Sequence, residues 1–306
     1  MRVLVTGGAG YIGNSLVPQL LERSSVDHVT VYDSLQRGNI NLFASGRATG
    51  HGSRLSLVQA ELLDTATLTQ AVSTHDVVVH LAAHVTTPFA DHDAHRFEQV
   101  NHWGTAQLAH VLEQTPVSKL IYVSSTAVYG SSDQMSSLET RPSPTTHYGI
   151  SKLRGEDHVR RLIGGPTHTQ ILRCANVYGY NGGLRLDSVV NNFMFRAHHG
   201  LRLLVVGDGT QRRPFYQVAR LGRAIAAAAV DSDRAPGTHN LVERNLSVMQ
   251  VLETVLELYP EVEYVFTDQV MTMRNLEVEV PSSGSEPEDL QSFHQDLVAF
   301  RAAFAY

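Results

Sequence analysis

The feature that most constrains this chain is a glycine-rich turn directly after its first apolar segment. The run Arg2–Thr6 is predicted as a β-strand, and Gly7, Gly10 and Gly13 follow it in a G-x-x-G-x-x-G pattern that also contains G-x-G-x-x-G. A β-carbon in such a turn would block the tight bend, the approach of the backbone to a pyrophosphate, or the packing of helix on strand. The predicted helix Ile12–Arg23 would point its first N–H groups at the phosphates. The turn predicts the first unit of a dinucleotide-binding domain.

Short β-rich runs alternate with helical patterns through the first half of the chain. The predicted strands are Arg2–Thr6, His28–Tyr32, Leu55–Ala60, Val77–Leu81 and Leu120–Val123. The predicted helices between them are Ile12–Arg23, Thr65–Ser73 and Phe97–Gln114. The fourth strand is apolar on both faces, as expected in the centre of a parallel sheet. This alternation predicts an α/β fold with a Rossmann-type doubly wound parallel sheet.

The second half is less regular and predicts a smaller, discontinuous C-terminal substrate lobe. The predicted elements are His147–Leu162, Gln170–Arg173, Ser188–His199, His239–Val242, Ser247–Tyr259 and an amphipathic helix through Leu290 and Phe300. Residues 176–216 are otherwise expected to be loop-rich. We expect residues 1–175 with about 217–241 to form the cofactor domain, and about 176–216 with 242–306 to form the lobe.

Composition excludes several classes of partner. The chain has 306 residues and a formal net charge of -6, which provides no basic footprint for nucleic acid or for an anionic membrane. The longest apolar stretch, near Ala224–Val230, is too short to span a bilayer. Because the first predicted strand starts almost at Met1, no leader peptide is expected. With the single cysteine Cys174 no intrachain disulfide can form, so a cytoplasmic location is expected.

The sixteen histidines do not predict a metal site. His92 and His95 lie three residues apart, and His198 and His199 are adjacent. Neither pair has a convincing set of cysteine or carboxylate neighbours, and a metal site needs three or four convergent ligands.

Asp33 ends the second predicted strand, twenty residues after Gly13. A carboxylate at that point can accept hydrogen bonds from the adenosine ribose and would repel a 2′-phosphate. The sequence therefore favours NAD over NADP, although Arg37, four residues further on, weakens this preference.

Tyr148 and Lys152 form a Y-x-x-x-K pattern inside a predicted helix, so their side chains share one face. A free tyrosine has a pKa of about 10, and a neighbouring ammonium stabilises the phenolate. Such a pair can exchange a proton with a substrate hydroxyl while hydride moves to nicotinamide. Ser125 follows the fifth predicted strand, where its hydroxyl would face the ligand crevice and orient the reacting oxygen.

These motifs together resemble the extended short-chain dehydrogenase/reductase family. The segments that carry the resemblance are TGGAGYIG from Thr6, HLAA at His80–Ala83, VNHWGT at Val100–Thr105, VSSTAVYG from Val123 and YGISK from Tyr148. Within the family the chain is most similar to nucleotide-sugar epimerases and dehydratases, the UDP-glucose 4-epimerase group in particular. The resemblance is strong from Met1 to about Gly179, looser to about Leu241 and thin beyond.

The resemblance implies roles for matching residues. The implied cofactor contacts are Gly7, Gly10, Tyr11, Ile12 and Gly13 at the pyrophosphate, Asp33 at the ribose, Glu61 and Leu62 at the adenine, and Leu81, Ala82, Ala83, Asn101, Ser124, Tyr148 and Lys152 along the channel. The implied catalytic residues are Ser125, Tyr148 and Lys152. The implied substrate contacts are Ser125, Thr126, Tyr148, Asn176, Asn191 and Arg213. A homodimer is also expected by resemblance.

The chain departs from the family at several positions. The stretch that usually reads Arg-Asp-aromatic-x-His-Val-x-Asp is here Arg213–Arg220, without its two acids and its histidine. Val85 replaces the epimerase lysine, and Arg274 is the nearest candidate for a C-terminal substrate arginine. Thr126 and Ala127 stand where the dehydratases carry acids, and neither can act as a general acid or base.

Three functions remain open at this point. The resemblance favours an NAD-dependent nucleotide-sugar 4-epimerase that oxidises C4 transiently to a 4-keto intermediate. The altered Arg213–Arg220 stretch keeps open an NAD-dependent dehydrogenase or ketoreductase of a sugar or related alcohol. A non-catalytic NAD-sensing protein is the third alternative, although such relatives tend to lose the tyrosine or the lysine that are both present here.

Overall fold

A computed structural model of the chain describes residues 1–37, 39–44, 53–85, 93–231, 234–267, 275–281 and 290–304. Its strands are β1 Arg2–Thr6, β2 His28–Asp33, β3 Leu55–Gln59, β4 Val77–His80, β5 Lys119–Ser125, β6 His168–Cys174, β7 Asn176–Tyr178, β8 Leu203–Val206, β9 Arg212–Gln217, β10 Gly237–Leu241, β11 Arg244–Ser247 and β12 Tyr264–Thr267. Its helices are α1 Gly13–Leu21, α2 Thr65–Ser73, α3 Gly104–Gln114, α4 His147–Arg160, α5 Val189–His198, α6 Val218–Val230, α7 Val248–Leu258 and α8 Leu290–Ala303. Shorter helical turns are Asn41–Ala44, Ala94–Arg96 and Thr126–Tyr129.

A seven-stranded parallel sheet forms the centre of the molecule. Its strand order is β10-β6-β5-β4-β1-β2-β3, which confirms the predicted doubly wound α/β fold. Val3 lies opposite Val29 on one side and Val77 on the other, so the central strands bury both faces. Adjacent strands of a parallel sheet end at the same edge, and this edge carries the predicted site residues.

Helices cover both faces of the sheet. On one face α1 and α6 pack together, with Leu16 and Ile225 in a shared apolar core. Gly222 permits this close packing, because a β-carbon there would lie 2.7 Å from the Ser15 hydroxyl oxygen. On the other face α2, α3 and α4 bury Leu68, Leu108 and Val159 against the sheet.

A second core lies beside the sheet and is built from the C-terminal half. It joins α5, α7 and α8 to a three-stranded sheet of order β11-β9-β7, with Phe215 and Leu246 in its interior. Between β9 and β11 the chain returns to the main sheet, where Leu221 and Leu241 pack in the first core. We therefore propose the division expected from the sequence: residues 1–175 with about 217–241, and about 176–216 with 242–306.

Two features differ from the sequence prediction. Residues 176–216 contain the three strands β7, β8 and β9 in addition to the expected helix, which is α5. These strands escape a periodicity test because β7 has three residues and β9 contains Pro214, which is uncommon inside a sheet. The single helix expected over Phe97–Gln114 begins with a π-helical segment, Phe97–Trp103, and becomes α-helical only at Gly104.

Across the residues described, no helix has the length and apolar character needed to cross a bilayer. Within the same ranges, no three histidine, cysteine, aspartate or glutamate side chains converge on a possible metal position. His92 and Arg274 fall outside the described residues.

Candidate active site

A cleft of about 1180 Å³ lies at the carboxyl ends of β1, β2, β3 and β4. This is where ligands bind in doubly wound sheets. The predicted cofactor residues that line the cleft are Gly7, Gly10, Tyr11, Ile12, Gly13, Asp33, Glu61, Leu62, Leu81, Ala82 and Ala83. The cleft thus collects residues that are scattered over the first third of the sequence.

The glycine turn is required by close backbone contacts. Gly7 has a φ of +70°, and a β-carbon on it would lie 2.5 Å from the backbone of Ala82. A β-carbon on Gly13 would lie 2.1 Å from the Gly8 carbonyl oxygen. These contacts bring β1, β4 and the start of α1 too close together for any side chain.

The start of α1 is suited to a phosphate group. Ile12 precedes the helix, and no side chain of the described residues caps its first N–H groups. The Asn14 and Ser15 N–H groups donate to the Gly10 and Ile12 carbonyls, so an anion at this helix N-terminus would be bound by the earlier N–H groups of the turn. Asp33 stands beside this turn, and its carboxylate accepts hydrogen bonds from the Ala9 N–H at 3.0 Å and the Leu35 N–H at 2.9 Å. Asp33 is partly exposed, so its oxygens can also accept from a ribose. The residues present therefore fit a dinucleotide.

Charged side chains line the cleft beyond the glycine turn. Arg37 donates a hydrogen bond to the Val85 carbonyl oxygen at 2.6 Å, and Arg185 forms an ion pair with Asp187. Burial and the nearby Arg185 lower the pKa of Arg37. Glu61 accepts a hydrogen bond from Gln36 at 2.9 Å.

Tyr148, Lys152 and Ser125 meet where α4 crosses the end of β5. Thr146 caps α4 by accepting a hydrogen bond from the Gly149 N–H at 3.0 Å, so the helix begins at His147 and carries Tyr148 in its first turn. Ser125 is the last residue of β5, and its side chain lies close enough to the Tyr148 phenol to lower the pKa of that group. The predicted catalytic residues are thus brought together.

Lys152 is buried beneath this centre. Its ammonium donates a hydrogen bond to the Val123 carbonyl oxygen at 2.8 Å and lies 4.9 Å from the centroid of the Tyr122 ring. Burial lowers the pKa of Lys152 to about 8, while the Cys174 thiol and Glu156 oppose that shift. A lysine with a pKa near neutrality can exchange a proton within the working range of an enzyme.

Aromatic contacts connect Tyr148 to the cleft. Its ring lies 6.0 Å from that of Phe97, which lies 5.1 Å from the ring of the cleft residue His84. The surrounding groups desolvate the partly exposed Tyr148 phenol and raise its pKa, whereas the Ser125 side chain and the charge of Arg185 lower it. The phenol is therefore protonated in this state and needs a cationic partner to act as a base.

Asn101 positions the wall of the cleft. Its side chain is fully buried, accepts from the His84 N–H at 2.7 Å and donates to the His84 carbonyl at 3.0 Å and to Ser151 at 3.1 Å. It thereby ties the segment after β4 to α4, and its amide groups are used by protein partners. Ser124 is also buried and donates to Glu156, so its hydroxyl points away from the cleft.

The predicted substrate residues do not share one environment. Asn191 is fully buried: its amide accepts from the Gly179 N–H at 2.9 Å and donates to Tyr11 and the Arg185 carbonyl. The Asn191 amide thus joins loops of the protein, and its contact with a ligand remains a prediction. Asn176 is exposed and donates to the Pro214 carbonyl at 3.1 Å, while Thr126 is buried. Arg213 donates to the Arg212 carbonyl at 2.7 Å.

Sequence reasoning missed Glu156, Arg173 and Arg185. Glu156 lies one helical turn after Lys152, and its carboxylate accepts two hydrogen bonds from Arg173 on β6. The only sequence signal is the i, i+4 spacing from a proposed catalytic lysine. Arg185 lies in a loop without a recognisable pattern, and only the fold brings it to the cleft.

Comparison with known proteins agrees with this architecture. Residues 3–242 match the model of the NAD dependent epimerase/dehydratase family. The chain belongs to that family. NAD is the cofactor of the family, so the cofactor prediction and the prediction of an enzyme are confirmed at that level. A dTDP-glucose 4,6-dehydratase of an Actinoplanes species is 31% identical over 238 residues, which cover 74% of this chain and 72% of the relative.

Two solved structures extend the likeness to the whole chain. A UDP-glucose 4-epimerase of Thermotoga maritima with UDP-glucose is 25% identical, has a TM-score of 0.84 and is matched over 99% of this chain and 98% of its own. The protein MoeE5, in complex with UDP-glucose and NAD, is 25% identical with a TM-score of 0.80 and full coverage of both chains. The relatives thus include both epimerases and dehydratases.

Proposed function

We propose that the chain is an NAD-dependent nucleotide-sugar 4-epimerase. The observation that carries this proposal is the centre of Ser125, Tyr148 and Lys152 beside a dinucleotide cleft, with Thr126 and Ala127 in place of acidic residues. A hydride-transfer centre without an adjacent acid can oxidise and reduce a carbon but lacks a group for eliminating water.

The residues of this chain would divide the work between binding and proton transfer. Gly10, Ile12 and Gly13 would hold the pyrophosphate of NAD, and Asp33 its ribose. Bound NAD supplies a reversible acceptor for the hydride of the sugar carbon. Positioning such a group in a cleft lowers the barrier by removing the entropic cost of bringing the reactants together.

Tyr148 would take the proton of the C4 hydroxyl and later return it to the 4-keto carbon's oxygen. Ser125 would donate a hydrogen bond to that oxygen and hold it against the phenol. Lys152 would stabilise the phenolate, because its ammonium is buried where a charge is weakly screened. Returning hydride to the opposite face of C4 yields the epimer with no net redox change.

A product assay tests the proposal. The purified protein is incubated with NAD and with UDP-glucose, UDP-galactose or dTDP-glucose, and the sugar is followed by proton NMR. We expect the C4 epimer to appear until both forms are at equilibrium, without accumulation of NADH. Tyr148→Phe should retain NAD and lose about 10²- to 10⁴-fold in rate. A 4-keto-6-deoxy product would instead identify a dehydratase.

A net dehydrogenase is the second candidate, and the altered Arg213–Arg220 stretch favours it. Arg220 points to Glu243 and Asp296, so the end of this stretch serves the packing of the lobe. A substrate smaller than a nucleotide sugar would not need the missing acids. NADH formed in proportion to the substrate consumed would decide for this candidate.

The expected homodimer and cytoplasmic location remain predictions. Trp103 precedes α3 with 55% of its surface exposed, which suits a contact between copies. Sedimentation at several protein concentrations, with Trp103→Arg as the disrupting variant, would test the dimer.

A further inference from the structure

Glu156 is a fully buried carboxylate one helical turn after Lys152 on α4. It accepts a hydrogen bond from the Ser124 hydroxyl at 2.6 Å. It also accepts from Arg173 Nε at 3.0 Å and Nη2 at 2.8 Å, and from Arg160. A buried carboxylate is unfavourable unless cations and donors surround it, and these partners meet that requirement.

Glu156 and Lys152 form hydrogen bonds with consecutive residues of β5. The Lys152 ammonium bonds the Val123 carbonyl, and the Glu156 carboxylate bonds the Ser124 hydroxyl. The next residue is Ser125, whose side chain lies close enough to Tyr148 to act on its phenol. These two hydrogen bonds therefore fix the position of α4 over the end of β5, and this position sets the distance between the Ser125 and Tyr148 hydroxyls.

Glu156 is also the negative charge that acts on Lys152. Three groups from the neighbouring elements face the ammonium: His80, Tyr122 and Cys174. Burial raises the pKa of the Cys174 thiol to about 12, so this thiol is neutral at pH 7. Burial holds the pKa of His80 at about 3, so the imidazole is neutral as well. Among the described residues, the carboxylate acting on Lys152 is thus Glu156.

We propose that Glu156 is a positioning residue of the hydride-transfer centre, which holds Ser125 against Tyr148 through Ser124 and supplies the buried negative charge that Lys152 requires. This inference rests on the proposed function for its effect on turnover. Its effect on Lys152 requires no substrate and can be measured separately.

The chain has only two lysines, Lys119 and Lys152, so the titration of Lys152 can be observed directly. Protein with ¹³C-labelled lysine side chains is titrated by NMR, and Lys119→Arg assigns the two signals. We expect the unmodified protein to show a Lys152 pKa of about 8. In Glu156→Gln we expect this pKa to fall by about one pH unit, the lower end of the effect of an adjacent opposite charge.

Asp157→Asn is the matched control. It makes the same charge change one residue further along α4, on a side chain that is 65% exposed and paired with Arg160. Solvent screens such a charge, so the Lys152 pKa should not move. An unchanged Lys152 pKa in Glu156→Gln, or an equal fall in Asp157→Asn, would overturn the electrostatic part of the proposal.

Two further variants cover misfolding and geometry. Should Glu156→Gln fail to fold because Arg173 is left without its partner, Glu156→Gln/Arg173→Gln removes both charges. The Lys152 pKa should then fall by less than in Glu156→Gln, because loss of the Arg173 cation acts in the opposite direction. Ser124→Ala keeps the ion pair and breaks only the link to β5. It should lower kcat about tenfold at an unchanged KM and an unchanged Lys152 pKa. Unaltered kcat in Ser124→Ala would overturn the geometric part.

The proposed function and this inference can fail independently. If no nucleotide sugar is epimerised but Glu156→Gln lowers the Lys152 pKa, the proposed reaction is wrong and the electrostatic role of Glu156 stands. If epimerisation occurs and the Lys152 pKa does not change in Glu156→Gln, the proposed reaction stands and the electrostatic role of Glu156 is wrong.

Discussion

The Tyr11 hydroxyl donates a hydrogen bond to the Gly179 carbonyl oxygen, 2.5 Å away. Tyr11 belongs to the glycine turn, whereas Gly179 follows β7 in the proposed substrate lobe. Asn191 completes the link, since it bonds both the Tyr11 hydroxyl and the Gly179 N–H. One buried phenol therefore couples the pyrophosphate-binding turn to the lobe.

Tyr11→Phe should uncouple the glycine turn from the proposed substrate lobe. It leaves the Gly179 carbonyl and one N–H of the Asn191 amide without their partner, which costs about 1–3 kcal/mol of unfolding free energy. We expect weaker NAD binding in addition, because the turn is no longer held. Urea denaturation and calorimetric titration with NAD measure the two effects. Tyr129→Phe, which removes a buried hydroxyl bonded to Asn240, should lose similar stability without loss of NAD affinity.

Gly7→Ala should abolish NAD binding, because its β-carbon would collide with the Ala82 backbone at 2.5 Å. Gly164 provides a matched control: its φ of +85° is also left-handed, but nothing lies within 4 Å of an added β-carbon. Gly164→Ala should therefore cost only the backbone strain of about 1–2 kcal/mol. If both variants bind NAD equally, the close approach of β1 and β4 is not essential.

Local chemistry made the glycine turn predictable, while the support beneath the catalytic centre depends on tertiary contacts. The turn, Asp33 and the Tyr148 pattern each carry a short-range requirement that can be read along the chain. Arg173 meets Glu156 only because β6 lies beside β5 and below α4. Likewise, the amide of Asn191 meets the Tyr11 hydroxyl only because the fold brings the two residues together. Such pairings have no sequence period.

Acid should destabilise the protein through His80. This buried imidazole lies between Thr6 and Thr105, and because Thr105 donates to the Asn101 carbonyl, His80 Nε2 donates to Thr105. Burial lowers the pKa of His80 from 6.5 to about 3. Between these values the unfolded chain binds a proton that the folded protein does not, so the unfolding free energy falls as pH falls.

His80→Gln removes the side chain that binds this proton in the unfolded chain. The unfolding free energy is measured by denaturation at pH 7 and at pH 5. Its loss between these two pH values should be smaller in His80→Gln than in the unmodified protein by about 2 kcal/mol, the effect of one proton taken up between pH 6.5 and pH 5. His110→Gln, on an exposed side chain, should leave the loss unchanged. An identical loss in His80→Gln and the unmodified protein would contradict the prediction.

Arg220 should anchor the last helix. Its guanidinium donates to both Asp296 oxygens, at 2.8 Å and 2.7 Å, and also bonds Glu243. Arg220→Met removes the cation that these two carboxylates share, while Tyr178 and Arg244 still contact Asp296. It should lower the unfolding free energy by about 2 kcal/mol, less than for a fully buried pair because Arg220 is partly exposed. Arg202→Met, which breaks an exposed pair with Glu263, should cost under about 1 kcal/mol. Equal losses would argue against the anchor.

The same cluster shows why a local sequence pattern cannot reveal the partners of this stretch. Arg220, at the end of the altered Arg213–Arg220 stretch, pairs with Glu243 and Asp296. Asp296 lies seventy-six residues from Arg220, so no local motif contains both residues.

The position of β10 at the edge of the main sheet has a consequence for synthesis. β6 is flanked by β5 on one side and by Gly237–Leu241 on the other. During synthesis, β7, β8 and β9 all leave the ribosome before β10 emerges. Until then β6 exposes a row of unpaired N–H and carbonyl groups, which is a template for association between nascent chains. A chain that stalls before Gly237 should therefore aggregate more readily than the completed protein.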